Sequence, residues 1–464
     1  MSAADLANAM AGRILNAPEG WRSGPIRTDT RTLESGATFL ALKGPNFDGH
    51  DFLEQAILKG ATGIIVESGV IKPDTLPRGV MAIEVDDTLV ALGRLARAVR
   101  KASGIRVVAI TGSSGKTTTK SFVSSILARS FRVVSTEGNF NNLIGLPLSI
   151  LSVKVGDQAG VFELGTNHPG EIARLADLCL PDAGIITNIG AAHLAGLGDE
   201  RGVFEEKTAL LRALRQDGLA LLPAADRWLP GMLERVDGDV CRVGHDPQAD
   251  FYWETEGRKQ GGWQASFHDR RTGWKGHGEV PGLAQHNVQA AGFGVALAMR
   301  WGADPETALQ GLQDVRIPAM RMEYRLINGV EWVIDCYNAN PSSMRSALDV
   351  IRGMDTTGRK VVVIGDMLEL GEQTRRYHEV LASWVAASGF DAVFACGEEI
   401  RTTVSSLQAM GWNRGPLVHR EKVSDLKEEL FKYLQAGDLL LIKASRVIGL
   451  DQLLPEIHLS CSST

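Results

Sequence analysis

Missing from this chain is any uninterrupted apolar run of about 18 residues, so no membrane-spanning helix is expected. Long Lys/Arg runs are absent too, and the formal net charge is −6, which argues against a dedicated nucleic-acid or anionic-membrane surface. Paired cysteines are lacking: the five present, Cys179, Cys241, Cys336, Cys396 and Cys461, are odd in number, scattered and free of any C-x-x-C motif. Such usage suits reduced thiols in a cytoplasmic protein rather than a disulfide framework. The opening residues, MSAADLANAMAGRI, have neither the basic start, the apolar core nor the small-residue cleavage site of a secretory signal. Short-period repeats and low-complexity tracts are likewise absent.

What is present is a globular composition, 44% hydrophobic and 22% charged, on 464 residues, enough for roughly two to four domains. Three α/β blocks emerge. Residues 1–86 alternate short strand-like runs (TFLAL, TGIIVE, VMAIEV) with the amphipathic DFLEQAILKG, and the polar DDT at 86–88 caps a following helix. Residues 87–314 alternate buried strand-like runs with helix-length segments, as a parallel sheet covered on both faces requires. A Trp- and Gly-rich stretch at 250–282 has the character of an antiparallel ribbon inside that block. Residues 315–464 form a second α/β series with strands in VEWVIDCY, KVVVIGD, DAVFACG and GDLLLIKA.

The most specific motif is VVAITGSSGKTTTKSFVSSIL, a strand, a glycine turn and a helix. Gly112 and Gly115 let backbone amides turn inward, and the helix starting near Lys116 aims its positive end at phosphates. The phosphate-binding set is therefore Gly112, Ser113, Ser114, Gly115, Lys116, Thr117 and Thr118, with Lys116 as a point charge and the Thr117 hydroxyl as a Mg²⁺ ligand. Ile110 stands where the strict G-x-x-x-x-G-K-[ST] pattern has its first glycine. Nucleotide binding follows; the reaction does not.

Functional groups of parallel sheets gather at the carboxyl ends of strands. There lie Glu163, ending AGVFELG, and His193, after AGIITNIGAAH, with Lys207 on the next helix. Glu163 suits Mg²⁺, but a strand-end Glu also serves as a helix cap, and a lone His as a loop residue. Lys207 after two glutamates reads on spacing as a solvated helix face, and a cationic lysine is no metal ligand. Pattern alone leaves these alternatives open.

Together, TGSSGKTTTK, FELGTNHPGEI and TNIGAAHLAGLG resemble the Mur ligases, ATP-dependent amide-forming enzymes of peptidoglycan precursor synthesis. The family's own loop is T-G-x-x-G-K-T, which accounts for Ile110. The resemblance implies carbamylation of Lys207 by CO₂, which turns the amine into an anionic oxygen ligand. Two Mg²⁺ ions are then implied, one on Thr117 and Glu163, the other on His193 and carbamylated Lys207. TEGNFNNLIGLPLSIL, DCYNANPSSM and VIGDMLELGE are similar to the branch that adds D-alanyl-D-alanine to UDP-N-acetylmuramoyl-tripeptide; another Mur ligase or a folylpolyglutamate synthase-like enzyme is the alternative.

The implied architecture is α/β in three domains: a small UDP-substrate domain (1–86), a central parallel-sheet ATPase-like domain (87–314) and a C-terminal Rossmann-like domain (315–464). By the same resemblance Thr30, Arg31, Lys43, Asp48 and His50 meet the UDP-sugar, and Asn139 and Asn142 line the tripeptide channel. Arg321 approaches the γ-phosphate and acts catalytically with Lys116, His193 and Lys207. Asp335 is the expected ribose-hydroxyl partner, and Asn338 and Ser342 are expected to line the nucleotide cleft. Lys443, Ser445 and Arg446 touch peptide carboxylates. Adenine recognition falls to Asn287, because HNVQA has Ala290 where the family's H-N-x-x-N has a second Asn. Turn building and capping remain the plainer reading of Asp335, Asn338, Ser342 and the DGH at 48–50. Arg321 as a surface residue and Arg446 as a structural one also stay open. A cytoplasmic monomer is expected, with no nucleic acid and no stable membrane insertion.

Overall fold

A computed structural model describes residues 1–44, 46–71, 76–77, 79–259 and 261–455. Cys461 lies outside them, and the four other cysteines are free and buried. Three sheets follow one another along the chain.

The first has five strands in the order Arg13–Asn16, Met81–Val85, Gly63–Glu67, Thr38–Leu40, Ile26–Arg27, parallel except for the first. The helix Thr88–Ser103 leaves it, capped by Asp87, whose carboxylate accepts from Val90 N at 2.9 Å. Its Leu92 and Leu95 pack on the first sheet, while Ala96, one turn on, belongs to the next core.

The second sheet has nine strands. Its parallel part runs Asp239–Gly244, Leu219–Pro223, Ala183–Ile186, Arg106–Thr111, Ala159–Glu163, Val133–Ser135. Val107 to Ile110 and Val161 are fully buried, as both-face coverage by helices demands. The ribbon read at 250–282 extends this sheet: Phe251–Lys259, Gly262–Asp269 and Trp274–Pro281 pair antiparallel and adjoin Asp239–Gly244.

The third sheet begins with the hairpin Glu323–Ile327 and Val330–Ile334 and continues parallel through Leu439–Lys443, Lys360–Gly365, Ala392–Cys396 and Leu417–Arg420. The helix after Ile334 begins at Pro341, three residues before the apolar period starts. Asn340 caps it by accepting from Ser343 N, and proline at the first position needs no amide partner.

One apolar cluster joins the second and third units. It runs from Leu194, Leu197 and Phe204 to Met344, Leu348, Ile364 and Leu370 without a break. A buried Leu such as Leu370 contributes roughly 1.5–3 kcal/mol, so this seam holds the two units in a docked arrangement.

Candidate functional site

The phosphate loop leaves its strand at Thr111 and is braced from behind by residues 187–190. Gly112 has φ 151°, and a Cβ there would lie 1.8 Å from Thr187 Oγ1, so no other residue fits. Ser113 Oγ donates to Gly190 O at 2.8 Å, and Thr187 Oγ1 to Ser114 O at 2.6 Å. Gly115, at φ 77°, turns the chain into the helix Lys116–Ala128, whose first amides are left facing a cleft. That cleft encloses about 360 Å³ and is lined from both the second and the third unit.

Ser113 to Thr118, Glu163 and His193 line it from the second unit, and Arg321, Asp335, Asn338 and Lys443 from the third. Lys116 folds back and donates to Gly112 O at 2.9 Å. Burial holds its amine below the ordinary lysine range, with Glu163 opposing and Arg321 reinforcing that shift. Arg321 lies over the Tyr337 ring at 4.3 Å and donates to Thr117 Oγ1 at 3.2 Å, so the third unit reaches the phosphate helix directly. Asn340 Nδ2 makes a second such reach, to Ser113 O at 3.2 Å.

Three acidic and basic groups beside the loop are held in distinct ways. Glu163 is 2% exposed; its Oε1 accepts from Asn141 Nδ2 at 2.8 Å, while Oε2 is buried without a partner. His193 adopts φ 55° at the head of the short helix Leu194–Leu197. Its Nδ1 is 2.7 Å from Glu369 Oε2 of the third unit, close in distance although not aligned as a hydrogen bond. Burial lowers the imidazole's pKa, the Glu369 contact opposes this, and the charges of Lys116 and Lys207 add to it. Lys207 is fully buried, and its Nζ has no hydrogen-bond partner. Burial, then the Lys116 charge, push its pKa well below 10.5, which favours the neutral amine. It is not on a solvated face: Val203, Phe204, Lys207, Leu210 and Leu211 share the helix's buried stripe.

Among the described residues no group of three His, Cys, Asp or Glu is arranged to hold a metal. The donors still fit a hard cation: an unpaired carboxylate oxygen, a threonine hydroxyl and an imidazole converge on the phosphate loop. An unprotonated buried lysine is also the form that adds to CO₂.

Other expected residues are engaged elsewhere. Asp335 pairs with Lys443 Nζ at 2.6 Å, and Lys443, 1% exposed, also reaches Asn338 O at 3.3 Å. Ser445 accepts from Leu368 N at 2.9 Å, and Arg446 pairs with Asp451 at 3.0 Å on the surface. Asn287 is buried and donates to Pro281 O at 3.0 Å, leaving its neighbour His286 to face the cleft. Ser342 lies in an adjoining groove with Trp263 and Arg345, and Ser343 takes the cleft position. Asn139 and Asn142 both line the cleft, Asn142 also capping the next helix through Gly145 N at 2.8 Å.

The first unit's residues lie apart from this cleft. Thr30 Oγ1 donates to Gln55 at 2.8 Å, and His50 is fixed by Asp48 at 2.5 Å and by Glu67 N at 3.0 Å. Arg31 and Lys43 are exposed, Arg31 pairing with Asp29 at 2.7 Å.

Sequence reading missed Asn141, Glu206, Lys120 and Glu369. Lys120 Nζ donates to Thr136 O at 2.7 Å and Gly138 O at 3.0 Å, tying the asparagine-rich loop to the phosphate helix. Glu206, beside Lys207, accepts from Gly170 N and Ile172 N at 2.6 and 2.7 Å and clamps the loop after Glu163. The doubled glutamate before Lys207, on a helix with an apolar stripe, was the available signal.

Comparison with known proteins matches residues 110–298 to the Mur ligase middle domain, 320–446 to the Mur ligase, glutamate ligase domain, and 25–100 to the Mur ligase family, catalytic domain. The UDP-N-acetylmuramoyl-tripeptide--D-alanyl-D-alanine ligase of Bacillus subtilis (strain 168) is 34% identical over 433 residues, 93% of this chain and 92% of that one. The crystal structure of MurF from Acinetobacter baumannii superposes with a TM-score of 0.88 at 29% identity, covering 97% of each chain. MurF ligase from Thermotoga maritima in complex with ADP gives 0.81 at 25% identity, covering 93% of this chain and 96% of that one.

Proposed function

The chain belongs to the Mur ligase family of ATP-dependent amide-forming enzymes, and we propose that it joins D-alanyl-D-alanine to UDP-N-acetylmuramoyl-tripeptide. The products are UDP-N-acetylmuramoyl-pentapeptide, ADP and phosphate, a step of peptidoglycan precursor synthesis. The observation that carries this reading over a plain nucleotide hydrolase is Lys207, a buried amine with no hydrogen-bond partner whose pKa is held well below the ordinary lysine range. A hydrolase has no use for it.

A carboxylate is a poor electrophile, so amide formation in water needs an activated acyl group. The tripeptide's terminal carboxylate attacks the γ-phosphorus of ATP, and ADP leaves. The amine of D-alanyl-D-alanine then attacks the resulting acyl phosphate, and phosphate departs from the tetrahedral intermediate. Catalysis of such steps is mostly positioning and charge neutralisation.

The loop amides from Ser113 to Thr118 cradle the β- and γ-phosphates. Lys116 exchanges Gly112 O for a phosphate oxygen, and Arg321 exchanges the Thr117 hydroxyl for the γ-phosphate. The Nζ of Lys207 adds to CO₂ and loses a proton, giving a carbamate. Thr117 and Glu163 would hold one Mg²⁺ ion and His193 with carbamylated Lys207 a second, and such ions would offset repulsion between carboxylate and γ-phosphate. Asp335 and Asn338 take the ribose, Asn287 and His286 the adenine side, and Asn139 and Asn142 the peptide. Residues 1–86 capture the UDP-sugar, 87–314 bind ATP, and 315–464 close over both with the incoming amine. Among the described residues no helix is long and apolar enough to cross a membrane. The enzyme works as a cytoplasmic monomer on these small substrates.

Phosphate release from Mg·ATP with UDP-N-acetylmuramoyl-tripeptide tests the reading, assayed with and without the dipeptide. Release that depends on D-alanyl-D-alanine, with the mass of the pentapeptide product, is expected. Release indifferent to both substrates overturns it.

A further inference from the structure

We propose that Glu369 is a positioning residue that presents His193 to the nucleotide-bound cation only when the third unit has docked. The inference rests on the ligase reading above, in which His193 helps hold a cation at the γ-phosphate. Glu369 belongs to the segment after the strand Lys360–Gly365, on the far side of the interface from His193.

Geometry argues that the contact is built. Glu369 Oε2 lies 2.7 Å from His193 Nδ1, and Glu369 O accepts from Ala195 N at 3.0 Å, so side chain and backbone grip the same turn. Both residues hold left-handed backbone, φ 64° for Glu369 and φ 55° for His193, a conformation that non-glycine residues keep only where their surroundings impose it. Leu370, 1% exposed, anchors the segment, and a Cβ on Gly371 would come within 3.1 Å of Ala195 Cα. Leu368 N donates to Ser445 and Met367 N to His378 Nε2 at 2.9 and 3.2 Å, holding the other end.

Stability does not explain the carboxylate. Its side chain is 53% exposed, and half-exposed ion pairs contribute little. Chemistry does. A carboxylate 2.7 Å from Nδ1 sets the side of the ring that faces the third unit and leaves Nε2 for the cleft, the geometry that carboxylates impose on metal-bound histidines. Because Glu369 comes from another unit, docking and completion of the cation site become one event.

The test is Mn²⁺ binding to the full chain with a non-hydrolysable ATP analogue, read by electron paramagnetic resonance. Wild type, Glu369→Ala and Glu369→Gln are compared, all non-glycine at the same strained position. Glu369→Ala is expected to weaken one class of bound Mn²⁺ by about 10-fold or more, the usual loss on removing the carboxylate that orients a ligand. The other class and metal-free ADP binding stay unchanged, and Glu369→Gln, which keeps an oxygen beside Nδ1, recovers most of the loss. Equal Mn²⁺ binding in wild type and Glu369→Ala overturns the proposal alone. No Mn²⁺-dependent nucleotide binding in wild type overturns the ligase reading beneath it.

Discussion

The cleft and the first domain are both rich in polar residues, yet they treat their ionisable ones differently. Around the phosphate loop, Lys207 Nζ and Glu163 Oε2 are buried with no partner. In the first domain, Thr30 and both ring nitrogens of His50 are satisfied within the domain itself. An unpaired buried polar group costs about 1–3 kcal/mol. The first domain keeps one, the Thr38 hydroxyl, but around the loop the unpartnered groups are an amine and a carboxylate, the kinds that CO₂ or a cation can complete. That chemical difference separates the part of the protein that reacts from the part that holds.

Lys207→Met breaks this contrast most severely. It removes the amine that CO₂ would modify, and phosphate release is expected to fall by about 10³-fold or more, on the scale of losing a transition-state charge partner. Stability should move the other way, because a well-packed apolar side chain replaces an amine that has no partner. The pH dependence follows from the direction of the shift. Burial holds the folded-state pKa well below 10.5, so the unfolded chain binds a proton that the folded chain lacks. Wild-type stability thus rises with pH between the lowered pKa and about 10.5, and the Met variant's advantage shrinks across that window. Urea melts in CO₂-free buffer at about pH 7 and pH 9 measure it. A Met variant less stable than wild type at both would show that the amine has a structural partner after all.

Arg321→Ala comes next. The side chain already spans the interface to Thr117, so its loss should reduce turnover by about 10²–10³-fold while ATP affinity changes far less. Equal losses in both would assign it to ground-state binding. Single-turnover phosphate release and equilibrium titration with an ATP analogue separate the two.

In the first domain the expected effects shift from rate to stability. His50→Ala strips Asp48 and Glu67 N of their partner, and a destabilisation of about 1–3 kcal/mol is expected with turnover at saturating substrate unchanged. Thermal melts and kcat measured together decide it. A loss of kcat without a loss of stability would move His50 to the reacting side of the comparison.

How much of this was legible in the sequence depended on how local the signal was. Strand, glycine turn and helix made the phosphate loop readable, since one continuous segment builds it. The antiparallel ribbon at 250–282 was readable from Trp and Gly content. Asp239–Gly244 and Leu417–Arg420 were not, because their side chains are mixed in burial and carry no continuous apolar run. Lys207 read as solvent-facing when its immediate neighbours were weighed, although the i, i+3, i+7 stripe through Phe204, Lys207 and Leu211 already placed it inside. Asn141, between two residues that were singled out, bonds Glu163 only because the loop folds over the strand end. Glu369 had no readable signal, since its partner is 176 positions earlier in the chain (369 minus 193) and on a different domain.

Arg31→Ala is the mildest and finest test of the comparison. Its side chain is 87% exposed and meets only Asp29, two residues away, so the pair adds almost nothing to the fold. Melting should stay within the range of ordinary surface substitutions. If this residue meets the UDP-sugar, the substrate's phosphates compete with Asp29 for the guanidinium, and a charge-assisted contact is lost on truncation. KM for UDP-N-acetylmuramoyl-tripeptide should then rise by about 10-fold or somewhat more, with kcat unchanged, because the contact is equal in ground and transition states. Steady-state kinetics at varied nucleotide substrate and saturating ATP and dipeptide reads this directly. An unchanged KM would put Arg31 with His50 among groups that only shape the domain, and leave Lys43 as the exposed cation for the sugar-nucleotide.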